Sequence, residues 1–484
     1  MPDITRFHVD NLQTGWNSQE TILTTSNVAS SNFGQVGKLT VDGDVLAQPL
    51  FVGQFQVPGK GTHNLVIVAT MHDSVYAFDA DTLQLIWQRS LGKSQYYADV
   101  GCGDISPEYG VDSTPVINRT GPGAGTIYVV AATEPSSMSF HTQLHALDIG
   151  TGGDQMTPVE ITASALLTNG TMIHFNAQHQ MNRTSLFMSN GFIYVGAGSH
   201  CDSRAVPMSG WLLRYNQSLQ QVSSFNTIDE ATSNSLASIW MSGYSSVVDG
   251  SGNIYFATGN GAFDINTGGK NYGQTVVKIS ADLSQVLSTF TPQNFASLNT
   301  GDGDLGAGGV MLIPGSNDLV AKGKDIRIFL LNQSNLGGMQ PNDAGALQVF
   351  QDLDGTWGGP AYFKGPNAQY IYYQSDTHSL RAFTFNGTQL ALSSTAPGSG
   401  GNEGSSPVVS SNGSLAGTGI VWVAERGSNV TLHAYDATNV QTLLFTATVG
   451  PWTTNHQNPF ISPLVVHGRV YIGATKSVTV YGLH

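Results

Sequence analysis

Apolar residues come along this chain in short runs broken by turn residues. The clearest stretch is residues 65–93, LVIVATMHDSVYAFDADTLQLIWQRSLGK. Residues 65–69 are an apolar run, residues 74–79 alternate small or polar with apolar, and residues 85–90 carry Trp87 on one face. Asp73 and Asp79-Ala80-Asp81 separate the runs at the spacing of a β-meander. A lone meander cannot bury its faces, so the unit predicts its own repetition.

The second and third strands do return, as TIYVVAA with TQLHALDI (126–132, 142–149), FIYVGAG with GWLLRYN (192–198, 210–216) and NIYFATG with TVVKIS (253–259, 275–280). They come again at 318–323 with 325–331, 370–375 with 379–385, 420–425 with 431–437, and 469–475 with 477–483. Each copy follows a short apolar run: AQPLFV (47–52), STPVIN (113–118), TSLFMS (184–189), SSVVDG (245–250), GGVMLI (308–313), GPAYFK (359–364), SPVVSS (406–411) and SPLVVH (462–467). With the opening copy this predicts an all-β chain forming a single β-propeller of eight four-stranded blades, or seven if one repeat is malformed. Residues 1–36 lack this period and read as an arm packed on the propeller of residues 37–484. The last repeat has only three strands of its own. Lys38 to Val41 is expected to supply its outer strand, which removes the open sheet edge.

The stretch VYAFDADTLQLIW, with its Tyr-Ala-hydrophobic-Asp step and closing Trp, resembles the repeat of pyrroloquinoline quinone (PQQ) enzyme-like propellers. The likeness runs from residue 37 to 484 and is most specific in the first repeat. A fold of this kind hosts many activities, so function must come from the site.

Composition narrows the partners. The 484 residues carry a formal charge of −14. This excludes nucleic acid, whose phosphates need a basic surface, and electrostatic docking on anionic membranes. No apolar run approaches the ~20 residues needed to span a bilayer. The start, MPDITRFHVD, has neither the basic region nor the apolar core of a signal peptide. Yet Asn118, Asn169, Asn182, Asn216, Asn332, Asn386, Asn412 and Asn429 head Asn-x-Ser/Thr sequons. The reading is a secreted eukaryotic glycoprotein whose leader is absent from this numbering. The two cysteines, Cys102 and Cys201, fit one disulfide of an oxidising compartment, against the alternative of two buried thiols.

Propeller geometry locates the chemistry. Loops leading into the innermost strands and loops after the second strands share one end, around the central channel. The first set holds Gln48, Glu108, Asp112, Trp240, Tyr244, Asp304, Trp357, Glu403, His456 and Asn458. The second holds His72, Asp73, Glu134, His200, Asp202, Asn260, Lys322, Lys324, Asp376, His378, Glu425, Arg426 and Lys476. Many of these have a plain alternative use, as turn caps, surface ion pairs or core aromatics. Lys322 and Lys324 flank Gly323, so one is expected to reach the channel while the other lies on the surface. There is no HExxH, CxxC, P-loop or GxSxG. DGDLGAGG (302–309) lacks the terminal Glu of an EF-hand and reads as an Asp-Gly turn. The 13 histidines show no metal-ligand spacing, so no metal site is expected.

The PQQ resemblance implies an alcohol or sugar dehydrogenase holding the quinone between a Trp and a disulfide of adjacent cysteines, with a calcium on Glu, Asn and Asp. This chain has no Cys-Cys pair. The whole chain also resembles a group of secreted fungal PQQ-like propellers, members of which act as intermolecular hetero-Diels–Alderases in tropolonic sesquiterpene biosynthesis. That resemblance implies a cofactor-free enzyme joining a tropolone quinone methide, formed by dehydration, to a macrocyclic terpene such as humulene. The reaction needs an acid, a carbonyl polariser and an apolar wall. The expected proton donors are His72, His200 or His456, and the polarisers Lys322 or Arg426. Trp240, Tyr244 and Trp357 are the expected walls, with Asp112, Asp304, Glu403 and Asn260 as further binding residues. A non-catalytic binding propeller is the third reading. Such lectins repeat their sites blade by blade, whereas this ring differs in each repeat. The expected partner is a small-molecule substrate, and the oligomeric state is not legible.

Overall fold

The computed structural model describes residues 2–202, 208–231, 236–452 and 460–484. Each repeat forms a four-stranded antiparallel blade, and eight blades close a propeller. Blade 1 is Leu50–Val57, Gly61–Thr70, Ser74–Asp79 and Leu85–Ser90, in that spatial order. The innermost strands of blades 2 to 8 are Val116–Gly121, Phe187–Ser189, Val247–Val248, Val310–Leu312, Ala361–Lys364, Val408–Ser410 and Leu464–Val466.

The continuous apolar run of residues 65–69 follows from burial on both faces. Side chains alternate across a strand. Leu65, Ile67 and Ala69 face blade 2, packing with Ile117, Ile127, Val129 and Leu147. Val66 and Val68 face blade 8, packing with Val466, Tyr471 and Val478. Trp87, the closing aromatic of the repeat, reaches across to blade 2, where its indole N–H donates to the Ile149 carbonyl at 2.9 Å. Gly152, at φ +70°, lies under that ring, where a Cβ would come within 2.5 Å.

Blade 8 is closed by the N-terminal region as expected. The closing strand is Phe33–Thr40, paired antiparallel with Ser477–Leu483, and so begins before Lys38. Its outer edge meets solvent and a bulge interrupts it between Gln35 and Gly37, so only Phe33 and Leu39 are buried. That leaves little alternation to read.

The arm is more than a strap. Its backbone visits the innermost strands in order around the channel. Ile4 pairs with Phe51 of blade 1, and the Thr5 carbonyl accepts from Ile117 N–H of blade 2 at 2.8 Å. Arg6 donates to the Met188 carbonyl of blade 3 at 3.2 Å. The carbonyls of Asn11, Leu12, Thr14 and Gly15 accept from Val248, Leu312, Tyr362 and Val409 of blades 4 to 7. The Asn17 side chain donates to the Val465 carbonyl of blade 8 at 3.0 Å. The arm thus pairs strand edges that would otherwise face the channel bare. Farther on, the buried Glu20 carboxylate accepts from Ile22, Leu23 and Gly468 N–H groups and ties the arm to blade 8.

Cys102 and Cys201 form a disulfide with Cα atoms 5.7 Å apart, joining the loops of blades 2 and 3. Among the described residues no helix is long and apolar enough to cross a membrane.

His8, inside the arm, is fully buried, and burial lowers its pKa to about 3 against the pull of its contact with the Gln13 carbonyl. The unfolded chain takes up that proton near pH 6.5, the folded chain only near 3. The contribution is intact above pH 6.5 and is lost as pH falls toward 3. Thermal melts of the parent and of His8→Gln between pH 7.5 and 4.5 should therefore converge as pH falls. Parallel curves would show that His8 titrates normally.

Candidate functional site

The loops leading into the innermost strands converge on one end of the channel. In blade 5, Leu305–Ala307 makes a single helical turn after Asp304, and the buried Gln274 pins it by accepting from Leu305 N–H at 2.7 Å. Asp304 accepts from Asn260 N–H at 2.5 Å. Lys324 extends over this turn. Its ammonium lies 2.8 Å from Asp302 and 2.7 Å from Asp304, and 5.6 and 5.5 Å from the ring centroids of Trp240 and Trp357. Burial lowers its pKa, but the two carboxylates outweigh this and leave it raised.

Asp202 joins the same group from blade 3. Its carboxylate accepts from the Ser199 hydroxyl, and oxygens of Asp202, Asp302 and Asp304 lie within 4.8 Å of one another. Asp202 keeps some open surface at the channel mouth, yet burial, with Asp304 adding, raises its pKa to about 7. Across the mouth, Arg426 donates to Glu403 at 3.1 Å. Burial raises the Glu403 pKa, with the Arg426 and Arg183 charges opposing.

Arg183 fills the side next to the disulfide. It is fully buried, 3.6 Å from Asp112, with Phe460 and Trp240 against its guanidinium at 4.4 and 5.6 Å. The rule used for the other blades, to inspect the loop before each inner strand, picks out Arg183. In the sequence the triplet Asn182-Arg183-Thr184 reads instead as a glycan acceptor. In the structure Asn182 is buried, accepts from Ser113 at 2.6 Å and donates to the Gly196 carbonyl at 2.6 Å, which leaves no room for a glycan. Asn169, Asn386, Asn412 and Asn429 are exposed, while Asn118, Asn216 and Asn332 are half-buried.

Trp240, Trp357, Asp112, Asp304, Glu403, Asn260 and Arg426 therefore meet at this end. Other expected residues take different places. Lys322 is neither at the channel nor on the surface: it points between blades 5 and 6, buried on Asp352 and Ser375 beside Arg381, and Lys324 holds the position expected for it. Tyr244 is no wall. It is fully buried against Gly309 and Gly359, and its hydroxyl lies 2.8 Å from the Gln13 carbonyl and 2.6 Å from that of Pro360, so it anchors the arm. His200 is buried edge-on to Tyr109, and burial, with Arg183 beside it, lowers its pKa to about 3. It stays neutral and is a poor proton donor. His72 is exposed and bonded to Glu108 at 2.8 Å, outside the Trp240 group. His456 and Asn458 lie outside the described residues.

No family model matches the sequence, and no curated protein matches it. Solved structures do resemble it. A quinohemoprotein alcohol dehydrogenase from Comamonas testosteroni superposes with a TM-score of 0.63 at 13% identity, over 99% of this chain and 80% of that one. Another from Pseudomonas putida HK5 gives 0.67 at 12% identity, with the same coverage. The computationally designed Ika8 protein gives 0.50 at 12% identity, over 93% of this chain and all of that one. At these identities the likeness is one of fold: an eight-bladed PQQ-like propeller.

The residues present do not fit PQQ with calcium. The acids that would hold a cation already hold the Lys324 ammonium. Both ends of the Asn260 amide are engaged, donating to Asp302 at 2.6 Å and accepting from Gln274 at 2.7 Å. The disulfide joins cysteines 99 residues apart, not neighbours. In Lys324→Gln the three carboxylates lose their counter-ion. Terbium luminescence sensitised by the nearby tryptophans is then expected at about millimolar terbium or below, and should vanish again when Asp202→Asn is added. Equal emission from the parent protein would show that the lysine does not hold the cation's place.

Proposed function

We propose that this protein is a cofactor-free enzyme acting on a flat, oxygenated small molecule at the channel end. Its reaction is the dehydration of a hydroxymethyl tropolone to a quinone methide, followed by an intermolecular hetero-Diels–Alder reaction with a macrocyclic sesquiterpene such as humulene. The observation that supports this reading is a carboxylic acid, Asp202, poised to be protonated near neutral pH beside an ammonium that lies over two tryptophan faces.

The roles follow from that grouping. Asp202 gives its proton to the departing hydroxyl, the C–O bond breaks and water leaves. The enol proton leaves to solvent as the ring ionises, and Asp202 takes a proton back from solvent once water has left, so the net change is the loss of one water. Lys324 donates a hydrogen bond to the carbonyl oxygen of the quinone methide and draws electron density from the diene. Trp240 and Trp357 give flat apolar surface against which the diene and the terpene alkene meet. One C–C and one C–O bond then form with no change in overall oxidation level and no external oxidant.

The acid role sets the sign of the pH dependence. Asp202 must carry its proton, so its contribution to turnover should be lost as pH rises through about 7. Asp202→Asn should lower turnover by about 10²- to 10⁴-fold and remove that pH dependence. The measurement is adduct formation from the hydroxymethyl tropolone and humulene, followed by mass spectrometry. Unchanged turnover in Asp202→Asn would refute the assignment.

A PQQ- and calcium-dependent alcohol or sugar dehydrogenase is the second reading, suggested by the fold of the neighbours and opposed by the Lys324 ammonium that occupies the acids. Titration with PQQ and calcium, with dye reduction by alcohols, separates it from the first.

A further inference from the structure

The reaction as written gives no role to the buried charge of Arg183. Arg183 is 1% exposed, and a guanidinium cannot shed its proton to escape burial. Its Nε and Nη2 have no hydrogen-bond partner among the described residues. These are the two N–H groups of a single guanidinium edge, the edge that grips two parallel oxygens. The nearest carboxylate oxygen, Asp112 Oδ2, lies 3.6 Å from Nε, beyond hydrogen-bond reach, and has no partner either.

A strut would look different. Where this propeller uses buried cations to brace blades, they are bonded directly, as Lys322 and Arg381 are to Asp352, and of the buried nitrogens of Arg381 only Nε is left without a partner among the described residues. Arg183 instead leaves paired donors idle in a dry place, at the desolvation cost of a charged group. Its flat faces are set against Phe460 and Trp240. Trp240 also carries Lys324 at 5.6 Å, so two cations border one indole. Such a setting suits a planar, negatively charged ligand that stacks on the indole and reaches both cations through oxygens.

We infer that Arg183 is the anion subsite of the group of side chains at this channel end, and that the substrate binds as an ionised planar enol whose oxyanion takes the free Nε and Nη2 edge. Asp112 limits this subsite by placing a competing carboxylate beside the same guanidinium. Neutral ethers and esters of the same ring are rejected because they leave the two donors unsatisfied. The inference rests on the proposed reading of this site and adds the charge state of the substrate and the residue that selects it.

The test is binding of tropolone and of its O-methyl ether to the full chain at pH 8, by tryptophan fluorescence and calorimetry. The parent should bind tropolone at least about tenfold more tightly than the ether. Arg183→Gln should lose at least about tenfold for tropolone and leave the ether unchanged, and Arg183→Lys should restore part of the loss. Asp112→Asn should tighten tropolone binding, an outcome that a purely bracing Arg183–Asp112 pair would not give. Equal binding of the two ligands by the parent, or unchanged tropolone binding in Arg183→Gln, overturns the inference. If Arg183→Gln does not fold, the parent's ligand ratio and the Asp112→Asn shift decide it. Selective binding through Arg183 without adduct formation would refute the proposed reaction and leave the anion subsite standing. Adduct formation with unselective binding would do the reverse.

Discussion

Eight blades set around an axis turn eight strand edges toward one another across a hole. Each edge carries backbone N–H and C=O groups that need partners, and the rest of the architecture depends on how they are met. Here the arm meets them, taking one blade after another from Ile4 to Asn17 before its continuation closes blade 8 through Phe33–Thr40. The ring is therefore locked twice by the same N-terminal segment, once along the channel and once at the outer seam. Tyr244 and His8 pack where the arm meets the blades, and the polar chemistry is kept to the loops beyond them.

Those loops concentrate buried charge, and its bookkeeping separates support from function. Lys322 with Asp352 and Arg381 is a bonded cluster between two blades. Lys324 is neutralised by Asp302 and Asp304, and Arg426 by Glu403. Two groups are left out of balance. Among the described residues, Asp202 stands next to acids with only the Lys324 charge opposing, and Arg183 has Asp112 within ion-pair range but no acid hydrogen-bonded to its Nε and Nη2. Unbalanced buried charges are costly unless something else completes them, and both border Trp240's neighbourhood, where a substrate would lie.

The repeats were legible because burial on both faces of a blade writes a strong, regular signal. Leu65 to Ala69 and its seven echoes carry it. The site was legible in location but less so in membership. Lys322 and Lys324 are separated only by Gly323 and look equivalent in the sequence. One follows directly on the strand Asp318–Ala321 and turns between blades, and the other lies past the turn over Asp304. Histidine is the usual acid near neutral pH, which in the sequence points to His72, His200 and His456, while the environment of Asp202 raises its carboxyl into that range. Arg183 was hidden by a sequon whose asparagine proves to be an internal hydrogen-bonding residue.

The sequence by itself determined the blade count, the inner strands, the closing role of the N-terminal region and the end of the channel where polar residues gather. All of these depend on local alternation and on the order of repeats along the chain. Only the tertiary structure decided which charges meet, which are paid by partners and which are left free. That outcome depends on distances between loops of different blades and on how far each is desolvated, neither of which is written in any single repeat.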